Sequence, residues 1–120
     1  MIEGACHCGQ VRWSVPGDPD WLTRCTCSYC ARAGALWAAY PVREVALDYR
    51  PQAVVRYEQG DRSLAFISCG TCGCTTHYES HDPAPDARMK VNMRMAVNYD
   101  FTHLALRVFD GADSWRYLDE

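Results

Sequence analysis

Cys69-Gly70-Thr71-Cys72-Gly73-Cys74 places three sulfurs within six residues, one residue after the apolar pair Phe66-Ile67. Two other stretches are built alike: Cys6-His7-Cys8 near the start of the chain, and Cys25-Thr26-Cys27-Ser28-Tyr29-Cys30. Together the three hold all eight cysteines of the 120 residues. Disulfides are the first explanation to weigh, because cysteine-dense small domains are commonly bridged frameworks in secreted chains. No secretory leader is visible over residues 1–15, so the expectation is a cytoplasmic protein. Cysteines spaced C-x-C or C-x-x-C are also badly placed to bridge one another, since so short a loop strains the disulfide. The same closeness suits a metal ion, which needs several thiolates about 2.3 Å from one point. The cysteines therefore read as metal ligands.

Ligand counting then divides them. Four thiolates close a structural zinc site, whereas three leave one position for water or substrate. Cys6 and Cys8 precede a strand-like segment, and Cys69 and Cys72 follow another. Brought together across a sheet, these four would make a complete site that clamps the start of the chain to its middle. Cys25, Cys27 and Cys30 come from one short loop and make an open site of three. Cys74 has two readings: a fourth ligand for that open site, or a small buried side chain. The buried role is the expectation.

Around the cysteines the chain reads as one mainly β domain with little helix. Val11, Trp13 and Val15 alternate with polar residues, the period of a half-buried strand, until Pro16-Gly17-Asp18-Pro19 interrupts it. Ala35–Tyr40 is a compact apolar run that ends at Pro41. Ala53–Tyr57 and Ser63–Cys69 flank Glu58-Gln59-Gly60-Asp61, a hairpin turn by its residues, and Thr75–Glu79 is a further short strand. Met89, Val91, Met93 and Met95 alternate with Lys90, Asn92 and Arg94, which predicts a strand through Met95 with the methionines in the core. Ser80–Ala87 is a loop, and short helical turns are predicted near Cys27–Ala33 and Phe101–Leu106, the second with Thr102 as its N-cap. A net charge of -3 argues against a nucleic-acid binder held by phosphate contacts. No apolar run approaches the roughly 18 residues needed to span a bilayer, so no membrane partner is expected.

The residues that carry the metal reading also carry a resemblance. Gly4-Ala5-Cys6-His7-Cys8-Gly9-Gln10-Val11, the Cys25–Cys30 motif and Phe66-Ile67-Ser68-Cys69-Gly70-Thr71-Cys72-Gly73 resemble the glutathione-dependent formaldehyde-activating enzyme family, also called the CENP-V/GFA domain. Val91-Asn92-Met93-Arg94 and Phe109-Asp110-Gly111 through Trp115 are similar to segments common there. The resemblance implies a β-tent fold stapled by two zinc ions per chain. Carried over motif by motif, Cys6, Cys8, Cys69 and Cys72 match the ligands of the structural zinc, and Cys25, Cys27 and Cys30 those of the catalytic zinc. It also implies a carbon–sulfur lyase that condenses glutathione with formaldehyde to S-hydroxymethylglutathione. His77 stands where many relatives carry an apolar residue.

The chemistry of the open site points the same way. Three thiolates more than neutralise a zinc ion, which makes it a weak Lewis acid for producing hydroxide. A thiol, with a free pKa of about 8.5, is far easier to ionise there, so the incoming ligand is expected to be a small-molecule thiol such as glutathione. Glutathione carries carboxylates, and Arg24 and Arg32 flank the loop as candidate partners, with Arg62 and Arg94 more distant. Tyr29 inside the loop is a candidate for orienting substrate. His7, His77, His81 and His103 are read as structural or surface histidines before proton donors. Two rival readings remain: a non-enzymatic interaction module with both zinc sites structural, and an iron-bearing redox protein.

Overall fold

The computed structural model describes residues 1–60, 62–81 and 84–119. Ten strands and one short helix follow in order: β1 (Ile2–Ala5), β2 (Arg12–Val15), β3 (Leu22–Cys25), α1 (Ser28–Ala33), β4 (Trp37–Pro41), β5 (Ala46–Asp48), β6 (Val54–Tyr57), β7 (Leu64–Cys69), β8 (Thr75–Ser80), β9 (Arg88–Asn92) and β10 (Leu106–Phe109). They form a three-stranded sheet, β1-β2-β5, and a seven-stranded sheet, β10-β3-β4-β9-β8-β7-β6. All the pairings are antiparallel except β10 with β3, where the last strand runs parallel to the third.

Side-chain alternation gives the larger sheet two different faces. On one face Ala38, Tyr40 and Val91 pack with Ile2, Trp13 and Val15 of the smaller sheet, and Leu22, Leu36 and Met93 complete this core. Trp13 is admitted by the glycine opposite it in the hairpin, since a Cβ on Gly4 would fall 2.2 Å from its indole ring. On the other face the register aligns Phe66, Tyr78, Lys90 and Ala39 across four adjacent strands. Trp37 and Phe66 form a second core there with Cys30 and Ala35. A third cluster, Cys6, Val11 and Cys69, lies where the hairpins of the two sheets meet.

Most of the predicted strands form, and so does the hairpin between β6 and β7. Gly60 in its turn adopts φ +60, while Asp61 lies outside the described residues. The loop predicted over Ser80–Ala87 begins one residue later, since Ser80 closes β8; Asp82 and Pro83 lie outside the described residues.

Two expectations are corrected. The methionine strand stops at Asn92, and Met93–Met95 is a 3₁₀ turn. The Asn92 side chain diverts it, accepting from the Arg94 and Leu36 amides and donating to the Thr75 carbonyl. Met89 and Met93 are nonetheless buried. Residues 101–106 form no helix: the Asp100 carboxylate accepts from both the amide and the hydroxyl of Thr102, closing a single turn before β10.

Candidate functional site

The first sulfur group joins the two sheets. Cys6 and Cys8 lie in the turn between β1 and β2, Cys69 ends β7, and Cys72 lies in the turn to β8. Their four Sγ atoms all lie within 4.8 Å of one another, with Cys6–Cys8 at 3.7 Å and Cys8–Cys69 at 3.5 Å. Four sulfurs on one tetrahedral zinc stand about 3.8 Å apart, so the donor set fits that ion. The turns aim N–H groups at these sulfurs: Val11 donates to Cys6 at 3.3 Å, and Thr71 and Cys72 donate to Cys69 at 3.4 and 3.5 Å. The backbone N–H of Cys74 brings the Cys72 thiol down to about 5, while burial pushes that of Cys6 up to about 11.

The second group is local. Cys25 ends β3, Cys27 caps α1 and Cys30 lies in its first turn, and their three sulfurs also lie within 4.8 Å of one another. Cys27 Sγ accepts from the Cys30 amide at 3.3 Å as the helix cap, and Cys25 Sγ from the Cys27 amide at 3.5 Å. The Trp37 indole N–H donates to Cys30 Sγ at 3.4 Å. A hydrogen bond from Cys30 and the backbone N–H of Cys27 lower the Cys25 thiol to about 5, and Cys30, donating to it from a buried position, is pushed up.

The segment after β10 presses onto this group. Thr26 donates to the Asp110 carboxylate at 2.7 Å and its amide to the Phe109 carbonyl at 3.0 Å. Gly111 comes so close that a Cβ there would stand 2.6 Å from Cys25 Sγ, while its N–H donates to the Phe109 carbonyl at 3.0 Å. Only a glycine allows this approach.

Above the three sulfurs opens a cavity of about 730 Å³. Cys25, Cys27 and Cys30 line it, with Trp37, Phe66, Tyr78 and Lys90 from the sheet and Phe109 and Trp115 from the C-terminal segment. Burial pushes the Tyr78 phenol well above its ordinary range, and its hydroxyl makes no hydrogen bond among the described residues.

The family model for glutathione-dependent formaldehyde-activating enzymes matches residues 1–103. The chain belongs to this family. A crystal structure of a Rhodobacter sphaeroides protein is similar, with 26% identity and a TM-score of 0.69, over 87% of this chain and 98% of that one. No curated protein matches significantly. Among the described residues no helix is long and apolar enough to cross a membrane.

For a formaldehyde-activating-family chain, the cysteine motifs thus meet as two groups that could each hold a metal ion. The other residues singled out in the sequence lie elsewhere. Arg24 points away from the cavity because its neighbours Thr23 and Cys25 on β3 face it. Arg32 is exposed and donates to the Ser28 carbonyl of its own helix, and Arg94 donates to the Gly34 carbonyl. Neither lines the cavity, nor does Arg62. The Tyr29 ring stacks on Phe66 at 4.0 Å and on Tyr57 at 5.5 Å, with its hydroxyl 3.2 Å from that of Thr75.

Cys74 joins neither sulfur group and packs with the first group's cluster. His7 is exposed, His81 meets Glu58, and His103 meets Asp18. His77 is fully buried between Thr76 and the Glu79 carboxylate, which also accepts from Tyr49 and Arg56. Sequence reading missed Lys90, and noted Phe109, Gly111 and Trp115 only as part of a family-like segment without placing them at the site. The signal for Lys90 was its place between Met89 and Val91, which puts a cation on the face opposite the methionine core.

Proposed function

We propose that this chain makes or breaks a carbon–sulfur bond on a glutathione-type thiol, as in the condensation of glutathione with formaldehyde to S-hydroxymethylglutathione. The observation that carries this reading is the place of Cys25, Cys27 and Cys30: three converging sulfurs that line a cavity. A soft donor set of three thiolates suits zinc. Zinc held there would supply a positive centre that favours the ionised form of an incoming thiol. Cys6, Cys8, Cys69 and Cys72 would hold a second, structural zinc.

The chain's own groups do the rest. Amide N–H groups from Cys27 and Cys30, and the Trp37 indole N–H, fix the three sulfurs and offset their charge. As sulfur adds to the aldehyde carbon, the carbonyl oxygen gains charge and finally the proton the thiol gave up. The Tyr78 hydroxyl, on the cavity wall and without a protein acceptor among the described residues, is placed to donate to that oxygen. Arg24, Arg32 and Tyr29 have no part in this reading, because none lines the cavity.

The rival module with two closed sites needs a fourth side chain at the second group, and Cys74, its candidate, packs with the first. Zinc-loaded protein is expected to speed adduct formation from glutathione and formaldehyde, followed by proton NMR, and Cys27→Ser to remove the acceleration. A rate no higher than the uncatalysed mixture rejects the proposal.

A further inference from the structure

The cavity must admit the thiol's cysteine arm, and it is larger than that arm and a one-carbon electrophile together require. Its 730 Å³ falls in the range of about 300–1,000 Å³ typical of sites for drug-sized ligands. Formaldehyde is little larger than water, whose share of the liquid is about 30 Å³.

The walls are chemically selective. Trp37, Phe66 and Tyr78 line the sheet side, and Phe109 and Trp115 the C-terminal side. Lys90 is the sole charged residue among the described residues that line it. It makes no hydrogen bond or ion pair among the described residues, and its Nζ stands 6.0 Å from the centre of the Tyr78 ring. Asp20 borders a neighbouring hollow that Lys90 also lines, without forming an ion pair with it. A half-buried ammonium with no acceptor is a ready partner for an anion.

Trp115 carries two unrelieved penalties. It is 71% exposed, and it holds φ +60, a conformation that L side chains rarely adopt. Its amide bonds to the Asp110 carbonyl at 2.8 Å, and its ring meets Phe109 edge-on at 5.1 Å. A flat apolar guest would bury this ring against the sheet-side aromatics, which a hydroxymethyl group is too small to do.

We infer that the electrophile this site takes is an aromatic aldehyde bearing one carboxylate, with the arene held between Trp115 and the sheet-side rings and the carboxylate at Lys90. The inference rests on the carbon–sulfur reading above and names its second substrate. The step is an addition: the thiol sulfur bonds to the aldehyde carbon, the carbon–oxygen double bond becomes single, and the thiol proton ends on that oxygen. No oxidant or reductant enters.

The test uses the zinc-loaded full chain with glutathione and three aldehydes: formaldehyde, benzaldehyde and 4-carboxybenzaldehyde. Separately, the unreactive 4-methylbenzoate is titrated while acrylamide quenching of tryptophan fluorescence is followed. The carboxylated arene is expected to be preferred over benzaldehyde by about tenfold in kcat/KM, as one charge-assisted contact provides. Lys90→Met should erase that preference. Trp115→Ala should lower both arenes relative to formaldehyde, and 4-methylbenzoate should shield tryptophan from quencher in the parent protein but not in Trp115→Ala. Arene binding without any thiol addition would uphold the cavity's specificity and remove the carbon–sulfur reading. Formaldehyde turnover with no arene binding would overturn the inference and leave that reading standing, and failure of both would overturn both.

Discussion

The first cysteine group draws its sulfurs from two hairpins, with Cys8 and Cys69 separated by 61 residues, whereas the second takes three from a stretch of six. Distance along the chain sets what each can do. A metal held by Cys6, Cys8, Cys69 and Cys72 would close a long loop and fasten one sheet to the other, so its binding energy becomes folding energy. Cys25, Cys27 and Cys30 already lie together through one strand end and one helix cap, and metal there would add little to the topology. On the proposed reading the long-range group holds the fold, and the local one, lying beneath a cavity, is left for chemistry.

The largest expected effect separates the two directly. Structural zinc is worth about 10–16 kcal/mol in small domains, at or above the roughly 5–15 kcal/mol that keeps a domain folded. Cys69→Ser should therefore abolish the cooperative thermal transition seen by circular dichroism. Cys27→Ser should keep it and lose one equivalent of metal by elemental analysis. Equal melting of the two variants would break the comparison.

A second tie on the first group's side is independent of metal. Tyr49, just after β5 of the small sheet, donates to Glu79 on β8 of the large one, joined there by His77 and Arg56. Burial alone would raise the Glu79 carboxyl, but these three hydrogen bonds outweigh it and hold it at about 2, below the ordinary 4.5. A depressed carboxyl stabilises the fold fully above its unfolded value, and the contribution fades as pH falls from about 4.5 towards 2. Its size is about 3 kcal/mol. Glu79→Gln should lower the urea midpoint at neutral pH, and its gap from the parent protein should narrow below pH 4.5. A gap independent of pH would show that the carboxylate's charge is not what joins the sheets.

Smaller still is the effect of the glycine over the second group. Gly111→Ala should weaken metal binding there by about 10–100-fold, as expected when a neighbour that orients a ligand is displaced, and leave the first equivalent in place. Competition with a chromophoric chelator measures both. Smallest are Arg24→Ala and Arg32→Ala, which should leave the melting temperature and the dependence of rate on thiol concentration unchanged. A raised thiol requirement in either would extend the site beyond the cavity wall.

Both cysteine groups were legible in the sequence because ligand spacing is a local signal, and so were the strands whose apolar residues alternate, such as Trp13 with Val15 and Met89 with Val91. What stayed hidden depends on distant partners. β5 is exposed throughout and carries no alternation of burial, and it forms through its pairing with β2. β3 and β10 are four residues each, and their parallel pairing joins segments more than eighty residues apart. The methionine stripe misled because an Asn side chain ended the strand through contacts with Leu36 and Thr75, neither of them a sequence neighbour. Arg24 and Arg32 drew notice by standing beside the ligands, and strand alternation and helix direction turn them outward. Lys90 stood beside no cysteine motif, and only its place between Met89 and Val91 marked its face.

The parallel seating of β10 against β3 has an evolutionary corollary. Phe109, Gly111 and Trp115 all follow residue 103, where the match to the family model ends, yet they finish the wall over sulfurs set near the start of the chain. Part of the cavity wall is thus encoded apart from the sulfurs, while Trp37, Phe66, Tyr78 and Lys90 come from the matched stretch that also carries the cysteines. A descendant could rewrite its tail to admit a different guest while inheriting the sulfur clusters unaltered, provided it kept a glycine at 111.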